Sequence, residues 1–171
     1  STDICFITSN FKDYMKDKIK NENGPVINVL TNEKIGTHNG LNKYTIGQRR
    51  GLNIGGTKDR MYVVGKDIGK NILYIATGDD NDYLVSTSCI LDNVNLFTDE
   101  IITTCTAKFR YRQEEVLVKL KYLDDNKLEV IYDNVKSVTP GQVCAFYKGD
   151  ECLGGGIISE VRKNGEKLWY L

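Results

Sequence analysis

In the second half of the chain the apolar positions recur with period two, the spacing of half-buried strands rather than helices. The segment 104–112 shows this most clearly. Cys105, Ala107, Phe109 and Tyr111 alternate with Thr104, Thr106, Lys108, Arg110 and Arg112. As one strand, it turns the first set toward a core and lays the second out as a basic stripe. Similar runs lie at 86–97, 103–112, 116–123, 127–132, 143–147, 152–161 and 168–170. Asp124-Asp125-Asn126 joins two of them as a hairpin turn. Regular short strands with polar turns predict a small closed barrel or sandwich.

The first half is more mixed. Ile4-Cys5-Phe6-Ile7 reads as a buried strand with no room for a structural partner before it, which predicts a chain cut from something larger. Asn10 is placed to cap a helix over 11–20, with Phe11, Tyr14, Met15 and Ile19 on one face, ended by Asn23-Gly24-Pro25. A short strand follows at 25–30. The glycine-rich stretch 35–56 reads as loops with one strand near 44–46. Residues 61–64 and 72–76 form a hairpin across Gly69-Lys70-Asn71. The acidic and amide stretch 78–83 is the best linker. The expected fold is mainly β: a small central domain over 10–80 with one short N-terminal helix, then a C-terminal β-barrel over 81–171.

Composition narrows the class. Of 171 residues, 40% are hydrophobic and 27% charged, enough for a packed core and a solvated surface. No apolar run approaches the ~20 residues of a membrane span, and no signal peptide is visible. Cys5, Cys89, Cys105, Cys144 and Cys152 include no C-x-x-C pair, and His38 is the single histidine. A structural metal is therefore not expected. Scattered cysteines without a secretion signal point to a reducing compartment. The formal net charge is zero, yet 42–70 carries +5 and 71–100 carries −6. Such asymmetry fits either ordinary differences between solvated loops or a basic face meeting an anionic partner.

Four segments could carry chemistry. The basic stripe of Lys108, Arg110 and Arg112 suits phosphates, because a guanidinium offers a fixed donor fork. The bland alternative pairs it with Glu114, Glu115 or Glu129. In Tyr44-Thr-Ile-Gly-Gln-Arg-Arg-Gly-Leu, two glycines free the backbone while Gln48, Arg49 and Arg50 supply donors; a basic surface turn is the alternative. Pro140-Gly141 sets a tight turn that exposes Gln142. Gly154 to Gly156, inside a β run, favour close backbone packing over function. Cys5 has no neighbouring Lys, Arg or His to lower its pKa, so local sequence makes it a core residue unless partners come from elsewhere.

Six stretches together resemble the tRNA-specific 2-thiouridylase family, in its order and at about its spacings. They are Ser1-Thr-Asp-Ile-Cys-Phe-Ile, Gly36-Thr-His-Asn-Gly-Leu, the Tyr44 segment, Phe109-Arg-Tyr-Arg-Gln, Val138-Thr-Pro-Gly-Gln and Leu153-Gly-Gly-Gly-Ile-Ile. The resemblance implies a transferase that replaces the 2-oxygen of the wobble uridine with sulfur. In the family an N-terminal pyrophosphatase domain binds ATP and Mg and supplies an aspartate and a second cysteine. Its S-G-G-x-D-S motif does not occur here. By the same resemblance, residues 1–9 are the last strand of that domain, and the barrel is similar to the second domain of elongation factors. Cys5 is the persulfide-carrying cysteine, able to pair with the absent one as a disulfide. The implied partners are tRNA and a sulfur-relay or cysteine-desulfurase donor, with the protein a monomer. The tRNA contacts carry over to Arg110, Tyr111 and Gln142, and further to Arg112, Gln113, Gln48, Arg49 and Arg50. The competing reading is a non-catalytic RNA-binding barrel of translation-factor type. An exposed Arg110 on an open strand face is expected to contribute little to stability.

Overall fold

The computed structural model describes residues 22–52, 60–78, 81–124 and 126–171. The helix expected over 11–20 and the strand around Cys5 lie outside the described residues. The chain divides between Thr77 and Gly78 into two compact units.

In the first unit, β1 (Asn23–Asn28), β2 (Lys34–Asn39), β3 (Met61–Asp67) and β4 (Ile72–Thr77) make one sheet in the order β2-β1-β4-β3. The expected hairpin of β3 and β4 is present and antiparallel, while β1 runs parallel to β4. Asp67 accepts a hydrogen bond from the Lys70 amide, and Asn71 takes the left-handed conformation that closes the turn. Val26, Val63, Leu73 and Ile75 are fully buried and form the centre of this unit.

Two expectations fail here. β2 is a strand that the pattern hides, because its six residues Lys-Ile-Gly-Thr-His-Asn lack an apolar alternation. Pairing with β1 and a buried histidine hold it instead. His38 is fully buried. Its Nδ1 accepts from the Gly40 amide at 3.2 Å, and its Nε2 lies 3.0 Å from the Asn71 carbonyl, so an imidazole with its proton on Nε2 satisfies both. Only glycine fits at the opposing position of β1: a Cβ on Gly24 would come 2.1 Å from the Asn71 oxygen and 2.6 Å from His38 Nε2. The strand expected near 44–46 is absent. A 3-10 turn at Leu41–Lys43 leads into a loop. The apolar residues Tyr44, Ile46 and Leu52 are loop anchors, all buried.

In the second unit, β5 (Val85–Leu96), β6 (Thr104–Lys108), β7 (Val116–Asp124), β8 (Lys127–Lys136), β9 (Val143–Lys148) and β10 (Glu151–Lys163) lie in the order β10-β5-β8-β7-β6-β9. β9 pairs back onto β10, so six strands close into a barrel. A short β11 (Glu166–Lys167) adds to β10. Period-two burial holds along β6 to β9: Cys105 and Ala107, Val118 and Leu120, Leu128, Val130 and Tyr132, then Cys144 and Phe146 all face inward. Each large apolar side chain buried in this way stabilises the fold by about 1.5–3 kcal/mol. Small opposes large where space is tight, as at Ala107 against Phe146. The one phenol in this set is satisfied, Tyr132 sharing a 2.9 Å hydrogen bond with Ser86 Oγ.

The glycines of β10 do what the β pattern suggests. A Cβ on Gly154 would come 2.2 Å from the Asn95 carbonyl, and one on Gly155 would come 2.3 Å from that of Cys144. β10 is squeezed from both sides where the barrel closes, and its register shifts there. Two strand boundaries differ from expectation. β6 stops at Lys108 instead of reaching 112. Residues 168–170 are a closing turn: the Leu168 amide donates to Val161, and the Tyr170 hydroxyl donates to the Tyr83 carbonyl at 2.7 Å.

Candidate functional site

Where β6 ends, the chain turns sharply. The Gln113 amide donates to the Arg110 carbonyl at 3.2 Å, closing a four-residue turn with Tyr111 and Arg112 at its centre. Arg112 has φ 65°, the left-handed region that glycine or asparagine usually occupies. The turn is braced twice. Gln113 Oε1 accepts from the Phe109 amide at 2.9 Å. Phe109 itself is 1% exposed and packs edge-on against Tyr132 at 4.7 Å.

The uniform basic stripe is therefore not formed. Lys108 is ion-paired with Glu115 at 3.3 Å, and Thr106 Oγ1 donates to the same carboxylate at 2.5 Å. The Thr106 hydrogen bond, more than the lysine, holds the Glu115 carboxyl below its ordinary pKa. Arg110 folds back from the solvent. One terminal nitrogen donates to the Ser137 carbonyl at 2.5 Å and to Thr139 Oγ1 at 3.1 Å. Burial lowers the Arg110 pKa, yet a guanidinium starts so far above neutrality that it stays charged. An arginine tied in this way contributes to the fold, against the expectation of a freely exposed one. Tyr111, expected to face the core, is 88% exposed, because strand alternation lapses once the turn begins. The Arg112 guanidinium sits 5.2 Å from its ring centroid.

Arg110 reaches the segment that carries Gln142. Thr139-Pro140-Gly141-Gln142 is a β-turn: Gln142 donates its amide to Thr139 at 3.3 Å, and Gly141 has φ 84° at the position where such turns need glycine. Two backbone bonds of 2.8 Å between Gly141, Gln142 and Ile158 fasten it to β10. The Gln142 side chain is exposed. The structure thus gathers Arg110, Tyr111, Arg112, Gln113 and Gln142 onto two adjacent turns of the barrel. Ser137 and Thr139, which join them, were missed in the sequence. Their only signal is the neighbouring Pro140-Gly141.

Gln48, Arg49 and Arg50 belong to the other unit. Their loop contains its own β-turn, with the Gln48 amide bonded to Thr45 at 2.9 Å and Gly47 at φ 85°. Gln48 is consumed locally: Oε1 accepts from the Thr45 amide and Nε2 donates to the Arg50 carbonyl, both at 2.9 Å. Main-chain bonds to Val63 fix the loop along β3, and Lys66 Nζ donates to the Tyr44 carbonyl. Burial lowers the Lys66 pKa. Arg49 and Arg50 are exposed at the tip.

Cys5 lies outside the described residues. Of the other thiols, Cys89, Cys105 and Cys144 are buried and Cys152 is exposed. Burial pushes Cys89 up to about 12 and Cys105 up to about 11, and raises Cys144 as well. These thiols are core side chains, poor nucleophiles near neutral pH. Among the described residues no cluster of acidic, histidine or cysteine side chains could hold a metal, and no helix is long and apolar enough to cross a membrane.

Comparison with known proteins agrees in both units. Residues 12–77 match the family model described as a tRNA methyl transferase PRC-barrel domain, and residues 86–158 match the aminomethyltransferase beta-barrel domain. Over its whole length the chain is 49% identical to a tRNA-specific 2-thiouridylase MnmA of Geobacillus thermodenitrificans, where it covers 47% of that protein. The corresponding protein of Bacillus subtilis is 45% identical, again with 47% of its length covered. That of Mycoplasmopsis synoviae is 42% identical, with 46% covered. The chain thus spans about half the length of the curated relatives it matches.

Proposed function

The chain belongs to the tRNA-specific 2-thiouridylase (MnmA) family and corresponds to its C-terminal portion, and from that premise we propose that it holds tRNA for 2-thiolation of the wobble uridine. The observation that carries the reading is the Arg110 guanidinium. By binding Ser137 and Thr139 it ties two turns together, so that Tyr111, Arg112 and Gln142 are offered from one rigid rim. Arginine and glutamine donors on fixed turns suit phosphate, sugar and splayed bases, which is how RNA of irregular shape is read. Arg49 and Arg50 supply a second basic contact from the first unit. The two glutamines of the motifs, Gln48 and Gln113, position these contacts.

Cys5 is assigned the persulfide sulfur, delivered by a sulfur-relay or desulfurase protein. This splits a difficult exchange into easier steps. In this reading ATP and Mg belong to the family's N-terminal domain, whose S-G-G-x-D-S motif does not occur in this sequence. The protein acts as a cytoplasmic monomer in this reading. The test is 2-thiouridine formation by the intact protein. Cys5→Ser abolishes it and leaves tRNA affinity unchanged, because a hydroxyl cannot carry a persulfide. Retained thiolation would reduce Cys5 to a core residue.

A further inference from the structure

Among the described residues with positive φ that are neither glycine nor asparagine there are two, Arg112 at 65° and Ser137 at 61°. They flank one feature: Arg112 follows Arg110 in the turn, and Ser137 is the carbonyl that Arg110 binds. Left-handed backbone is disfavoured at such residues, and strain of this kind collects where a side chain must be held in one place. What it holds out is Tyr111. The ring is 88% exposed, although a tyrosine at the end of a barrel strand could fold down over apolar neighbours. Phe109 in the core, the Gln113 brace and the Arg110 tether keep it from doing so. One face of the ring carries the Arg112 guanidinium at 5.2 Å. A flat ring on a rigid turn, backed by a cation, has the features of a base-stacking platform. A phosphate contact alone requires no ring.

We infer that Tyr111 stacks on one unpaired nucleobase of the bound tRNA, with Arg112 fixing the ring from behind. The inference rests on the tRNA-holding role proposed above. The base is unpaired because bases within a helix have both faces covered by their neighbours.

The test measures binding of the intact protein to an unmodified tRNA transcript with a wobble uridine, over a salt series, for wild type and for Tyr111→Phe, Tyr111→Trp and Tyr111→Leu. Stacking predicts that Phe and Trp stay within about threefold of wild type. Leu weakens binding by about 5- to 150-fold, the range of base–aromatic stacking. The slope of log affinity against log salt is the same for all four, since stacking releases no counterions. An unchanged affinity for Leu overturns the inference. So does an equal loss for Phe, which would make the hydroxyl the contact, or a shallower slope for Leu, which would mean that the ring only holds Arg112 on a phosphate. If wild type itself shows no salt-dependent affinity for tRNA, the parent reading fails and this one fails with it.

Discussion

The two basic turns are built alike and finished differently. In each, a glutamine closes the turn by accepting a backbone amide at 2.9 Å, Gln48 from Thr45 and Gln113 from Phe109. The loop of the first unit takes its positive φ angles at Gly47 and Gly51, at little cost. The barrel turn places Arg112 there instead. The first is anchored by apolar side chains around it and by Lys66. The second is nailed to the barrel interior through Phe109 and tethered through Arg110. The barrel turn is therefore strained and rigid, whereas the loop is relaxed, and the difference shows which one presents a side chain in a single orientation.

The largest test removes the nail. Phe109→Ala should destabilise the barrel by about 3–5 kcal/mol, the cost of a large buried side chain and its cavity. Urea unfolding measures it, and a loss under about 1 kcal/mol would show that the turn holds without the core.

The buried thiols distinguish the units in another way, since every cysteine among the described residues is in the barrel. Unfolded thiols ionise near 9.0, while Cys105 and Cys89 are pushed up to about 11 and about 12. Their folded pKa is raised, so their stabilisation is complete below pH 9 and is lost as pH rises from there toward 11 or 12. The expected loss is about 1.4 kcal/mol per pH unit for each thiol. Unfolding followed from about pH 8 to about pH 10.5 should show the barrel weakening, with Cys152 alone among its four thiols alkylated in the native state at the lower pH. Flat barrel stability over that range would contradict the burial.

The Arg110 tether comes next. Arg110→Ala leaves the Ser137 carbonyl without a charged donor and should cost about 1–3 kcal/mol. It should also make the salt dependence of tRNA binding shallower, by roughly 0.7–0.9 for each phosphate no longer neutralised. Thermal melting and binding are read together; unchanged melting would restore the free, exposed arginine.

The glutamines give the smallest effect and the sharpest contrast. Gln113 only accepts, so Gln113→Glu should keep the brace. Gln48 both accepts and donates, so Gln48→Glu should lose the bond to the Arg50 carbonyl and about 0.5–1.5 kcal/mol. Urea unfolding separates the two: unchanged stability in Gln113→Glu, with slow amide exchange kept at Phe109, and a measurable loss in Gln48→Glu, where the Arg50 carbonyl loses its donor. Equal behaviour would mean that the two glutamines do not brace their turns through these bonds.

The pleat of a strand and the chemistry of turns made part of this protein readable from its sequence alone. Period-two alternation marks Cys105, Ala107 and Phe109 as interior, because adjacent side chains of a strand must face opposite ways. The hairpin turn at 69–71 and the bend at Pro140-Gly141 were legible because their residues favour turns locally, and the ordered motifs carried the family. Tertiary structure decided the rest. The stop of β6 at Lys108, the outward turn of Tyr111 and the tether from Arg110 to Ser137 depend on which backbone carbonyl the closed barrel brings within reach, 27 residues along the chain. β2 and the segment 44–46 were misread because what holds them is a neighbouring strand and, for β2, a buried histidine, not a pattern of their own. A glutamine in a motif looks like a donor for a ligand; only the folded chain shows that a backbone amide takes its oxygen first.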